Sequence, residues 1–157
     1  MPFRICKSLE IESGHMLSKH PGNCKFPHGH TRKVELVLEA EALDRNDMVC
    51  DFEIMKEAVQ DFVQSLDHAL CINTQDPRYQ EMKHAYGNRV IGFDEVDPTT
   101  EIMAKSIYDA VKDNLTAYLR EANPKYPLST DVRMVKVRLW ETSTSWAEYS
   151  EHAPADI

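Results

Sequence analysis

Three histidines in this chain could share a metal ion: His15, and the pair His28 and His30 that flanks Gly29. In an extended segment, side chains alternate between faces, so residues 28 and 30 point the same way and their imidazoles converge. His15 joins them if the segment ending at His15 pairs antiparallel with the one starting at the triplet, because the loop between them brings its end back beside His30. Three neutral imidazoles leave a fourth tetrahedral position for water or substrate, which is the form of a catalytic zinc site. Taken alone, the triplet reads equally well as a turn with two solvated histidines; His15 and the nearby Cys24 turn the reading toward metal.

Cys24 admits two roles, a fourth ligand that closes a structural site or a free thiol that acts as nucleophile or base. Two features favour chemistry. The chain carries enough apolar residues to fold without a metal, and Asp67-His68 offers a carboxylate that can orient an imidazole, which in turn activates a thiol. An Asp-His pair at a helix end is by itself a weak signal, since such pairs are commonly solvated. Glu141 continues the face of Val135, Val137 and Leu139. A charge there is costly unless a ligand or partner satisfies it, and a guanidine-like edge would suit it. In the competing reading the strand emerges into solvent at Trp140.

These residues need elements to hold them. Phe3 and Ile5, followed by Leu9 and Ile11, alternate as in a half-buried strand over 3–13, with His15 at its end. A polar loop rich in Pro and Gly leads to a second strand over 31–42, where Val34, Leu36, Leu38 and Ala40 alternate with charges. Helical spacing of Phe52, Met55, Val59, Phe62, Val63 and Leu66 predicts a helix capped by Asp51. The periodicity lapses between Asn73 and Asp97, which predicts a long loop or lid. Thr99 or Thr100 caps a second helix with an apolar stripe through Ile107, Val111 and Leu115, and a two-residue period returns over 131–149 with a hairpin break at Ser143 to Ser145. The order ββααββ predicts an α+β domain, an antiparallel sheet with two helices on one face.

With 157 residues, 42% of them apolar, the chain is sized for one domain over 1–157. No stretch approaches the roughly 18 to 20 consecutive apolar residues that span a bilayer, and the first residues carry no export signal, so a cytoplasmic protein with reduced thiols is expected. Cys6, Cys50 and Cys71 read as small buried hydrophobes. A formal net charge of -8 with no basic cluster argues against nucleic-acid partners.

The sequence resembles the 6-pyruvoyl-tetrahydropterin synthase superfamily, and within it the bacterial 6-carboxy-tetrahydropterin synthases of queuosine biosynthesis. The resemblance rests on His15, the run Cys24-Lys25-Phe26-Pro27-His28-Gly29-His30, Asp51-Phe52, Leu66-Asp67-His68, Pro98-Thr99-Thr100-Glu101 and Trp140-Glu141-Thr142. Three residues between the cysteine and the triplet resemble the carboxy branch. The resemblance implies a T-fold whose subunits assemble around a barrel into trimers and hexamers, with active sites at subunit interfaces. It implies His15, His28 and His30 as zinc ligands, Cys24 as the catalytic thiol completed by Asp67 and His68, and Glu141 as the anchor of a pterin ring, helped by Thr100 and Glu101. The implied substrate is 7,8-dihydroneopterin triphosphate. The implied product is 6-carboxy-5,6,7,8-tetrahydropterin, with loss of triphosphate and acetaldehyde; the rival enzyme would make the 6-pyruvoyl product, and a further rival is a pterin- or zinc-binding relative without turnover. Ile11-Glu12-Ser13-Gly14 stands where the family has an aromatic residue and two alanines.

Overall fold

The computed structural model describes residues 1–151; the end of the expected domain, 152–157, lies outside the described residues. Two long strands form its spine: β1, Phe3–His15, and β2, His28–Ala40, pair antiparallel from Phe3 opposite Ala40 to His15 opposite His28. Both strands run further toward the histidines than alternation alone predicts. The ladder therefore ends at the His28-Gly29-His30 triplet itself.

Helix α1, Phe52–Leu66, starts where expected, with the Asp51 carboxylate accepting from the Glu53 amide at 2.9 Å. The chain then adds strand β3, Leu70–Asn73, just ahead of the segment expected to be a loop, and helix α2, Tyr79–Tyr86, and strand β4, Val90–Phe93, within it. β3 pairs parallel to β1 and β4 parallel to β3, which extends the sheet at one edge. Helix α3, Thr100–Leu119, is capped by Thr99, whose hydroxyl accepts from the Ile102 amide at 3.2 Å. The hairpin of β5, Arg133–Thr142, and β6, Ser145–Tyr149, completes the order β4-β3-β1-β2-β5-β6. The α+β class stands, with a four-stranded antiparallel sheet backed by two long helices. The expected all-antiparallel ββααββ plan is corrected to a six-stranded mixed sheet with a third, short helix.

Alternation decides what the helices cover. On β2, Val34, Leu36 and Leu38 are buried in one core with residues of α1 and α3, which pack on β1 and β5 and on each other, and Ala40 is buried as well. Burying one such leucine contributes about 1.5–3 kcal/mol. Two parity assignments change. An irregularity between Val37 and Leu38 sets Met134 opposite Leu38, so Met134 rather than Val135 faces the core. Cys6 lies on the outer face and is exposed, whereas Cys50 and Cys71 are buried as expected. Among the described residues, no helix is long and apolar enough to cross a membrane.

Candidate metal centre

The core face of β2 does not stop at Val34. Continuing by twos, it runs through Arg32, His30 and His28, so the histidines occupy the end of the same stripe that packs the helices. His15, directly opposite His28, points to the same side, and its ring is fully buried. Ring centroids lie 4.5 Å apart for His15 and His28, 5.1 Å for His15 and His30, and 5.0 Å for His28 and His30. The potential ligand atoms of the three residues all lie within 4.8 Å of one another.

Backbone carbonyls set the tautomers of two of the rings. His15 Nδ1 lies 2.8 Å from the Pro98 carbonyl oxygen, and His28 Nδ1 lies 2.7 Å from that of Phe26. A carbonyl only accepts, so each Nδ1 carries the proton and each Nε2 presents a lone pair. His15 Nε2 and His30 Nε2 stand 3.2 Å apart, close to the ~3.3 Å edge expected when two nitrogens bind one zinc at ~2.0–2.1 Å. His28 Nε2 is buried and, among the described residues, has no hydrogen-bond partner. A lone pair stranded in this way beside two others is what a cation would satisfy, so the donor set fits zinc. Burial is the main reason the His15 imidazole's pKa falls to about 4, with the Arg32 charge acting in the same direction against the Pro98 hydrogen bond. It is neutral, and ready to ligate, near pH 7.

Behind the histidines lies a polar layer. Arg32 is fully buried, and its Nη1 donates to Thr100 Oγ1 at 3.1 Å. Thr100 Oγ1 donates in turn to Glu141 Oε1 at 3.2 Å. That carboxylate oxygen lies 3.6 Å from both His15 Nε2 and His30 Nε2. Arg32 Nη2 also stands 3.2 Å from His15 Nδ1; with that proton committed to Pro98, the pair is a contact between two donors.

The remaining candidates fall into separate places. Cys24 is half-buried in a 3-10 turn, Asn23–Lys25, and its carbonyl accepts from the Leu17 amide at 2.9 Å, closing the loop on itself. Among the described residues its thiol is not grouped with the three histidines. Asp67 and His68 are joined by a 3.0 Å hydrogen bond and pinned to β1: the Glu12 amide donates to Asp67 Oδ1 at 2.8 Å, and the His68 amide donates to the Glu12 carbonyl. That amide bond, with the His68 bond second, holds the Asp67 carboxyl below its usual range. His68 takes a left-handed backbone, φ 56°, at a cost of about 1 kcal/mol for a non-glycine residue. It lines a cleft of about 330 Å³ with His30, Ser13 and Gly14, and Cys24 is not in that lining. The Gly14 amide donates to the Ala69 carbonyl at 2.9 Å, which ties β1 to the residue after His68. Glu101, in the first turn of α3, is exposed. Sequence reasoning assigned Arg32 no role. Its signal was parity: it occupies an inward slot between Val34 and His30.

A mixed sheet carrying three converging imidazoles at the end of its core face defines a T-fold with a metal-capable centre. A family model described as 6-pyruvoyl tetrahydropterin synthase matches residues 4–152, and the chain belongs to that family. A relative from Aquifex aeolicus named 6-carboxy-5,6,7,8-tetrahydropterin synthase is 36% identical, covering 96% of this chain and 99% of its own. One of the same name from Bacillus subtilis is 28% identical over 94% of this chain and 84% of its own. Among solved structures, an uncharacterized protein of Wolinella succinogenes matches with a TM-score of 0.76 at 19% identity, covering 97% of this chain and 99% of that one. The 6-pyruvoyl tetrahydropterin synthase of Plasmodium vivax matches with a TM-score of 0.72 at 16% identity, covering 98% and 99%. At these identities the structures speak for the fold alone.

Proposed function

We propose that this protein is a zinc-dependent lyase that converts 7,8-dihydroneopterin triphosphate to 6-carboxy-5,6,7,8-tetrahydropterin, releasing triphosphate and acetaldehyde, in the queuosine pathway. The observation that carries this reading is the convergence of His15, His28 and His30 with a stranded His28 Nε2, in a chain whose curated relatives bear that enzyme's name over nearly their full length.

Bound zinc supplies a Lewis acid that lowers the pKa of coordinated side-chain hydroxyls. The protein's own residues do the rest. Glu141, half-buried beside the histidines, accepts hydrogen bonds from the guanidine-like edge of the pterin, and Thr100 orients it. Glu101 assists from the first turn of α3. His68, held by Asp67, exchanges protons with the substrate across the cleft it shares with His30. Cys24 is the second proton-transfer group. Cys24 does not line the cleft that His68 and His30 share, which supports a site completed by a neighbouring copy, so we assign self-association as trimers or hexamers, in a single cytoplasmic T-fold domain over 1–157 that takes neither nucleic acid nor membrane as partner.

The test is incubation of zinc-loaded protein with 7,8-dihydroneopterin triphosphate, with products identified by mass spectrometry beside a Cys24→Ala control. A carboxylated pterin whose formation depends on Cys24 is expected. A pyruvoyl product would transfer the chain to the other branch, and no turnover by folded, zinc-replete protein would leave a binding protein.

A further inference from the structure

An arginine in the core stripe of β2 needs a reason. The slots at 34, 36 and 38 hold Val, Leu and Leu, all fully buried, and Arg32 is buried to the same degree. Among the described residues its Nε has no hydrogen-bond partner, so the side chain is worse satisfied than an apolar residue would be. What it does have is direction. A guanidinium can only donate, so Thr100 Oγ1 must accept from Arg32 and is left with one proton to give, which goes to Glu141 Oε1. The relay therefore runs one way, from a buried cation to a carboxylate, whose negative charge acts on that cation.

The same carboxylate oxygen is 3.6 Å from the two imidazole nitrogens that would face a metal, near enough to close the open position. We propose that Arg32, acting through Thr100, is a positioning residue that holds Glu141 off the metal, keeping the fourth coordination position open and the carboxylate free for the substrate. This deepens the proposed function and rests on its reading of the three histidines as zinc ligands.

Thr100→Val is the cleaner probe, because it cuts the relay while keeping shape and charge; Arg32→Met is the second, and its loss of a buried ion should leave the fold intact. Zinc affinity is measured by competition with a chromophoric chelator for wild type, Thr100→Val, Arg32→Met, Glu141→Gln and the doubles with Glu141→Gln. Released from its tether, Glu141 becomes a ligand. Zinc should then bind about tenfold tighter or more in Thr100→Val and Arg32→Met, on the scale by which outer-layer groups tune metal sites. That gain should vanish in both doubles, and Glu141→Gln alone should leave zinc affinity within about threefold of wild type. Affinity that is unchanged or lower in both single variants would overturn the tether, as would a gain that survives Glu141→Gln. No pterin enters this test. A protein that behaves as expected toward zinc but turns over no pterin would overturn the proposed function only, and a wild type that binds no zinc would overturn both.

Discussion

His15 and His28 are direct partners across the β1–β2 ladder, and their rings meet edge to face with centroids 4.5 Å apart. Their proximity is therefore set by thirteen consecutive cross-strand pairs rather than by a loop. A site preorganised in this way should lose most of its affinity when any one imidazole is removed. His15→Ala, His28→Ala and His30→Ala should each weaken zinc binding by more than about 100-fold, beyond the ~10–100-fold typical of outer-layer changes, when measured by chelator competition. Circular dichroism should show each variant folded.

Stability of the metal-free protein should fall in acid through His15. Burial lowers its folded pKa from 6.5 to about 4, so between those values the unfolded chain binds a proton that the folded chain refuses. Stability is therefore complete above about pH 6.5 and declines as pH drops toward 4, by about 3 kcal/mol across the window for this group. Urea melts at pH 7 and pH 4.5 should show the difference, and zinc at pH 7 should raise the midpoint. A His15→Gln variant whose acid sensitivity matched wild type would assign the effect to other groups.

Glu141→Gln should separate ligand binding from metal binding. Loss of a hydrogen bond to a charged group costs about 1.5–3 kcal/mol. Affinity for a reduced pterin, followed by fluorescence titration of zinc-loaded protein, should accordingly fall by about one to two orders of magnitude, while zinc content stays at the wild-type level.

The helices and core offer a control away from the site. Asp51→Ala removes the cap on the Glu53 amide and should cost about 1 kcal/mol, whereas Leu36→Ala, at a fully buried position, should cost about 2–5 kcal/mol. Denaturant melts should rank them in that order.

What the sequence made legible follows physical regularity. Strand alternation and helical spacing are strong in β1, β2, α1 and α3, so those elements and most of the faces they bury could be read, as could the convergence of His28 and His30; Phe3 and Phe52, at the first positions of β1 and α1, are exposed instead. β3 and β4 are four residues each, too short to show a period, and they pair parallel with distant partners. Helix α2 buries none of its residues, so no apolar stripe announces it. Val135 was assigned inward because alternation assumes a regular ladder, and the irregularity opposite Val37 and Leu38 breaks it. Arg32 shows the converse case. Its place on the inward face was visible, but its partners Thr100 and Glu141 come from α3 and β5, and only the fold joins them.

X-ray absorption at the zinc edge of the metal-loaded protein tests the central claim most directly, namely that the three histidines hold zinc in an open site with Cys24 free. The expected first shell contains only nitrogen and oxygen at about 2.0–2.1 Å, with the outer-shell scattering of three imidazoles. A sulfur scatterer at about 2.3 Å would contradict the account, because Cys24 would then close the site as a structural ligand and could not serve as a free thiol.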